Sequence, residues 1–340
     1  MYQIVIETED GETCRRMRPS EDWISRAEAE RNLLASCRAG CATCKADCTD
    51  GDYELIDVKV QAVPPDEEED GKVLLCRTFP RSDLHLLVPY TYDRISFEAI
   101  QTNWLAEILA CDRVSSNVVR LVLQRSRPMA ARISLNFVPG QFVDIEIPGT
   151  HTRRSYSMAS VAEDGQLEFI IRLLPDGAFS KFLQTEAKVG MRVDLRGPAG
   201  SFFLHDHGGR SRVFVAGGTG LSPVLSMIRQ LGKASDPSPA TLLFGVTNRE
   251  ELFYVDELKT LAQSMPTLGV RIAVVNDDGG NGVDKGTVID LLRAELEKSD
   301  AKPDIYLCGP PGMIEAAFAA AATAGVPKEQ VYLEKFLASG

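Results

Sequence analysis

SCRAGCATCKADC, residues 36–48, holds four of the chain's eight cysteines, Cys37, Cys41, Cys44 and Cys48. A fifth, Cys76, follows in VLLCRTFP, residues 73–80. Three clustered thiols and one distant thiol make the donor set of a [2Fe–2S] cluster. Such a cluster takes four thiolates, a loop that wraps the inorganic sulfide, and a remote ligand that closes the cage. Spacing favours Cys37, Cys41, Cys44 and Cys76 as the ligands. Gly40 and the small Ala39, Ala42 and Thr43 suit a backbone that curls tightly and offers N–H groups to sulfide. The run C-x3-C-x2-C is one residue shorter than the plant-type C-x4-C-x2-C. Either the loop tightens, or Cys48 substitutes as a ligand, or Cys48 is a bystander. The competing readings are a zinc knuckle or reduced buried thiols. A zinc site usually presents a second CxxC pair instead of a remote cysteine, and His85 is the only histidine in residues 1–98.

The chain of 340 residues has room for two or three domains with ordinary cores. Its 44% hydrophobic and 25% charged residues are those of a globular protein. The net charge of −11 argues against a nucleic-acid backbone or an anionic membrane surface as partner. That charge is uneven: residues 1–88 carry 19 acidic and 11 basic residues, or −8 of the −11. The run DEEED, residues 66–70, is either a solvated acidic turn or a docking contact. The start MYQIVIETED lacks a basic, then apolar, export signal. Eight cysteines without such a signal favour metal binding over disulfides, and the expected location is the reducing cytoplasm.

Around the cysteine loop, alternation predicts strands over 2–8 and 13–18 joined at Asp10-Gly11, a helix over 21–35, and short strands at 52–55 and 73–75. Cys76 falls at the end of the last strand. Residues 89–103 show no clear periodicity and are expected to hold a linker. Over 105–195, six short strands separated by turns, with one helix over 178–185, predict a small antiparallel barrel.

One strand of that barrel reads RRSYS, residues 153–157. Arg154 and Tyr156 stand two apart, so they project to one face. The arginine can pair with a phosphate, the tyrosine ring can cover a flat cofactor, and Ser157 can hydrogen-bond a ring nitrogen. Downstream, LLPDGAFSKFL places Gly177 and Ser180 at the start of the predicted helix, where amides and a hydroxyl can cradle a pyrophosphate. A surface Arg and Tyr on a barrel strand would otherwise need no function.

Past residue 208 the pattern becomes strand, glycine turn, helix. An apolar run over 212–216 enters Gly217, Gly218, Thr219 and Gly220, and Pro223 lies in the first turn of the helix that follows. This turn can admit a pyrophosphate, or it can simply serve tight packing. Alternating strands and helices continue to CGPPG, which holds Cys308, Gly309 and Pro310, and to a last strand over 331–333. Five parallel strands in a doubly wound sheet are expected, with both glycine turns at strand carboxyl ends. After the second strand comes TNREE, residues 247–251. Two acids beside one arginine suit a ribose 2′-OH more than a 2′-phosphate, which favours NADH. Cys14 and Cys111 read as ordinary strand cysteines.

SCRAGCATCK with LLCRTFP resembles the plant-type ferredoxin domain, a β-grasp fold. RSYS with the glycine-serine turn, and GGTG-x-x-P with CGPPGM, resemble the ferredoxin–NADP reductase superfamily. Their order resembles the single-chain reductases of bacterial oxygenases. The resemblance implies three domains: a ferredoxin domain with linker (1–98), a Greek-key FAD-binding barrel (99–207) and a doubly wound NAD(H)-binding domain (208–340). It implies that Arg154, Tyr156, Ser157, Gly177 and Ser180 hold FAD. Gly217, Gly218, Thr219, Gly220, Pro223, Gly309 and Pro310 would hold NADH, with Cys308 beside the nicotinamide and Glu334 and Phe336 near the flavin. The implied route runs from NADH to FAD to the cluster and on to an oxygenase hydroxylase component of diiron type, methane-oxidising in the first instance. A phenol, toluene or aromatic-ring oxygenase is the alternative acceptor, and a non-catalytic redox sensor is a third reading.

Overall fold

The computed structural model describes residues 2–18, 45–55, 63, 65–75, 78–88, 102–125, 137–200, 202–205, 209–298 and 301–336. The chain forms two compact units, residues 1–102 with 197–201, and residues 103–196 with 202–340.

The first unit is built on a five-stranded sheet of order β2-β1-β7-β3-β5. β1 (Tyr2–Glu7) and β2 (Thr13–Arg18) form the expected hairpin. β1 also pairs in parallel with β7 (Leu84–Leu87), so the hairpin is drawn to the chain's later strands in the β-grasp manner. Alternation drives this: Ile4 and Ile6 of β1 and Leu84 and Leu86 of β7 all point into one core with Val73 and Leu74. β3 (Lys45–Asp50) is a strand where the cysteine loop was expected to continue; β7 was also not anticipated. KADCTD buries only Ala46 fully, so it carries no apolar alternation to read. β5 (Lys72–Leu74) pairs antiparallel with β3, setting Lys45 against Leu74. β4 (Tyr53–Leu55) and β6 (Thr78–Pro80) pair separately. The DEEED run falls in a short helix, α1 (Pro65–Glu69), whose Glu67 is ion-paired with Lys45. The helix expected over 21–35 and the linker expected at 89–103 lie almost wholly outside the described residues.

In the second unit, six strands take the order β11-β10-β13-β8-β9-β12. They are β8 (Thr102–Ser115), β9 (Val118–Arg125), β10 (Phe142–Glu146), β11 (Arg153–Ser157), β12 (Leu167–Arg172) and β13 (Arg192–Ala199). An antiparallel bridge between Met158 and Phe169 joins the first and last strands and closes the barrel. Helix α2 (Ala178–Thr185) presents Phe179, Phe182 and Leu183 at helical spacing to the barrel core.

The remaining sheet is parallel throughout, in the order β17-β16-β15-β14-β18-β19. It comprises β14 (Arg212–Gly217), β15 (Ala240–Val246), β16 (Leu268–Val274), the two-residue β17 (Asp284–Lys285), β18 (Asp304–Gly309) and β19 (Val331–Lys335). The five expected strands are present, and β17 adds a sixth at the edge. β15 and β14 are the central strands, and β18, next to β14, is buried along its whole length, which matches the apolar run over 305–308. The helices are α3 (Leu221–Ala234), α4 (Val255–Ser264), α5 (Val288–Leu296) and α6 (Pro311–Thr323). The strand order reverses between β14 and β18, so the topological switch point lies between the glycine turn and CGPPG. No helix among the described residues is long and apolar enough to cross a membrane.

Candidate functional site

Two turns distant in sequence converge at this switch point. Gly220 packs on the end of β18: a Cβ there would lie 2.2 Å from the Cys308 carbonyl oxygen. A Cβ on Gly217 would meet Met313 Sδ at 2.5 Å, and one on Gly309 would meet Met313 Cε at 2.7 Å. These glycines therefore let two turns pack against each other. Gly218 differs: its φ is +54° and nothing lies within 4 Å of its Cβ position, so it is the glycine facing open space. Thr219 sits between Gly218 and Gly220 in a 3-10 turn that leads directly into α3, and Pro223 is buried in the first turn of that helix.

α3 is stitched to the barrel by side chains. Ser222 Oγ donates to the Ser157 carbonyl at 2.7 Å and Ser226 Oγ to the Ser160 carbonyl at 2.5 Å. Arg229 Nη1 donates to the Ala159 carbonyl at 2.8 Å, and its other nitrogens meet Glu168 and Glu257. Tyr254, in the left-handed region at φ 60°, donates its hydroxyl to Glu168 Oε1 at 2.7 Å. None of these contacts was legible beforehand, because serines inside an apolar helix look incidental until the opposing carbonyls are placed.

On the barrel side, Tyr156 packs on Phe179 with ring centroids 4.8 Å apart, and Arg154 Nη1 donates to the Arg153 carbonyl at 2.9 Å. Ser157 is buried at the end of β11. Ser180 is buried too, and its Oγ accepts from the Leu174 N–H at 2.8 Å. The hydroxyl thus closes the 174–177 turn, a use the sequence did not suggest. Gly177 is the N-cap of α2.

At the far strands, Cys308 pairs in register with Ala216 on one side and Glu334 on the other. Phe336 N–H donates to the Gly309 carbonyl at 3.0 Å. Burial pushes the Cys308 thiol up, and the neighbouring Glu334 charge adds to this. Glu334 is part-exposed as a residue, but its Oε2 is sealed from solvent without a hydrogen-bond partner, and burial raises the carboxyl to about 8. A carboxyl that keeps its proton at neutral pH, with one oxygen sealed and unpartnered beside a switch point, is a candidate proton-handling group.

Three helix N-termini are suited to anionic groups. α2, α3 and α6, the last capped by Pro310, have neither a side-chain cap nor an acid in their first turns. Helices elsewhere do: α5 has a Thr287/Asp290 capping box and α4 carries Asp256 and Glu257. Acid-free, uncapped N-termini leave N–H donors and the positive end of the helix dipole for phosphate.

Cys37, Cys41, Cys44 and Cys76 lie outside the described residues, and no group of three or more potential metal ligands occurs among the described ones. The flanking strands are informative. The pairing of Lys45 with Leu74 brings together the two chain ends that lead into Cys44 and Cys76. Cys48 is three residues further along β3, roughly 10 Å away at strand rise. Its Sγ lies against the Asp50 carbonyl at 3.4 Å, and burial raises the thiol. His85 is held by Thr49 at 2.8 Å and Glu7 at 3.1 Å.

Comparisons with known proteins agree with this layout. The 2Fe-2S iron-sulfur cluster binding domain matches residues 7–81, the oxidoreductase FAD-binding domain 106–204, and the oxidoreductase NAD-binding domain 214–318. The chain is 34% identical to the toluate 1,2-dioxygenase electron transfer component of Pseudomonas putida, over 91% of this chain and 90% of that one. It is 33% identical to the propane 2-monooxygenase reductase component of Mycolicibacterium goodii, over 90% and 88%. The solved ferredoxin reductase in carbazole 1,9a-dioxygenase superposes with a TM-score of 0.72 at 26% identity, covering 99% of both chains. The chain belongs to the family of iron–sulfur flavoprotein oxidoreductases that act as electron-transfer reductases of oxygenase systems.

Proposed function

We propose that the chain takes electrons from NADH through FAD and a [2Fe–2S] cluster to the diiron hydroxylase of a soluble methane monooxygenase. The observation that carries the relay is the meeting of Ser157, the 217–220 turn, Cys308 and Glu334 at one switch point. FAD supplies the conversion of a two-electron hydride into single electrons for the cluster. The chain's residues supply position. Arg154 and the α2 N-terminus at Gly177 hold flavin phosphates, with Ser180 fixing the turn. Tyr156 covers the ring and Ser157 bonds its edge. Gly218, Thr219 and the α3 N-terminus receive the NADH pyrophosphate, while Gly217, Gly220, Gly309, Pro310 and Pro223 keep the two turns in contact. Cys308 lines the nicotinamide position, Phe336 shields the flavin side, and Glu334 holds a proton at its sealed carboxyl.

Cys37, Cys41, Cys44 and Cys76 hold the cluster in this reading, and Cys48 does not. Domain limits at 98 and 207 follow from the same assignment. The acidic first segment docks on the hydroxylase, and the protein works in the cytoplasm.

A second reading has a specific observation in its favour: the relatives compared serve toluate and propane oxygenases. In that reading the acceptor belongs to an aromatic-ring or another alkane oxygenase, with the relay unchanged. NADH oxidation coupled to each purified hydroxylase separates the two. The proposal expects coupled turnover with the methane hydroxylase; turnover only with another oxygenase assigns the chain to that system.

A further inference from the structure

The loops that leave β15 and β16 hold a charge arrangement that the relay leaves unused. Arg249 opens the 3-10 turn Arg249–Glu251 after β15, and Asp277 lies in the loop after β16. These strands are parallel neighbours, with Val246 level with Val274. Arg249 Nε donates to Asp277 Oδ2 at 2.6 Å, and Nη2 donates to Oδ1 at 2.8 Å. Two parallel bonds between a guanidinium and a carboxylate make a fork-to-fork pair of fixed geometry. Nη2 also reaches the Gly280 carbonyl at 3.4 Å, and Asp277 Oδ1 accepts from the Gly279 N–H at 2.8 Å. The arginine, then the Gly279 amide, hold the Asp277 carboxyl down at about 2, so the pair is ionised at every working pH.

The surroundings are acidic. Glu250 and Glu251 follow Arg249 directly, and Asp278 follows Asp277. Glu251 is fixed by the Thr247 N–H at 3.2 Å and Asn248 Nδ2 at 3.4 Å. Lys285 Nζ is spent on Asp278 at 3.3 Å. Two cations thus face four carboxylates, and each cation already has an acidic partner.

In a doubly wound sheet the adenosine ribose lies near the carboxyl end of the strand after the phosphate-binding turn. An acid there receives the 2′-OH, whereas an arginine there accommodates a 2′-phosphate. We infer that Asp277 is a specificity-determining residue that occupies the Arg249 fork and so withholds it from a 2′-phosphate. The chain then selects the unphosphorylated dinucleotide, even though it carries an arginine where a 2′-phosphate would need one. This rests on the reading of the parallel sheet as the NADH site.

The test uses the full-length protein and Asp277→Asn, which keeps the residue's shape, alongside Asp277→Ala. Calorimetric titrations with 2′-AMP and 5′-AMP report the site directly, without turnover. Both variants should bind 2′-AMP roughly tenfold or more tightly than the wild type, the scale of one charge-assisted bond gained. Affinity for 5′-AMP should change far less. Adding Arg249→Gln to Asp277→Asn should abolish the gain, and NADPH-driven ferricyanide reduction should follow the same order across the set. Parallel shifts for both nucleotides, or a gain that survives Arg249→Gln, would overturn the inference and leave the pair a loop cross-link. A wild type that binds neither 5′-AMP nor NADH would instead overturn the dinucleotide reading.

Discussion

Replacing Gly220 by alanine drives a Cβ into the backbone of β18. The new atom would sit 2.2 Å from the Cys308 carbonyl oxygen, 2.5 Å from its carbon and 2.9 Å from the Gly309 nitrogen. Comfortable separations are about 3.5 Å or more, so the strand end must retreat by roughly 1 Å. It has little freedom to do so. β18 is hydrogen-bonded to β14 on one side and β19 on the other, and the Gly309 carbonyl is tied to Phe336. Every atom met is backbone, so the cost belongs at the upper end of overpacking, about 3 kcal/mol. For a folding unit of this size that is a fall in Tm of roughly 6–12 °C. Gly218→Ala supplies the internal control. Its Cβ meets nothing, and the penalty is only that of a positive φ, about 1 kcal/mol and roughly 2–4 °C. Calorimetric melts of the two variants, with NADH titrations on each, make the comparison. Gly220→Ala should also weaken NADH binding, because the displaced strand end carries Cys308. A Gly220→Ala protein that melts with the wild type, or above Gly218→Ala, would refute the account of two turns packed in contact.

Two further expectations follow from buried groups. The Glu334 carboxyl is raised from 4.5 to about 8 by burial, so its contribution to stability is full below about pH 4.5 and is lost as pH rises through 8. Urea midpoints from pH 5 to 8 should therefore fall more steeply in the wild type than in Glu334→Gln, by at most about 1.4 kcal/mol per pH unit; parallel profiles would contradict the burial. Cys48→Ser should retain the iron content of the wild type, whereas Cys44→Ser should lose it. Loss of iron from Cys48→Ser would mean that the short loop recruits that thiol.

The sheets were legible where periodicity and burial agree. β1, α2, β14 and β18 carry periodic or continuous apolar runs that match their observed burial. The residues that mark the switch point were legible as well, because glycine turns at the carboxyl ends of apolar strands fall where a doubly wound sheet binds its ligand. What stayed hidden depends on tertiary partners. β3 has only Ala46 and Cys48 to offer a core, so KADCTD gave no strand signal. Ser222 and Ser226 acquire meaning only when the Ser157 and Ser160 carbonyls face them. Asp277 sits in DDGGNG, which reads as a turn, and its partner lies 28 residues earlier on the neighbouring loop. The glycine turn shows the opposite correction: for Gly217 and Gly220 the packing explanation holds, and only Gly218 opens toward a ligand.

The relay itself is tested most directly by anaerobic titration of the purified chain with NADH, followed in the visible spectrum, after iron and flavin analysis. The account predicts one FAD and about two iron atoms per chain, with flavin and cluster absorbance both bleached by NADH. Flavin without iron, or a cluster that stays oxidised while the flavin is reduced, would contradict it.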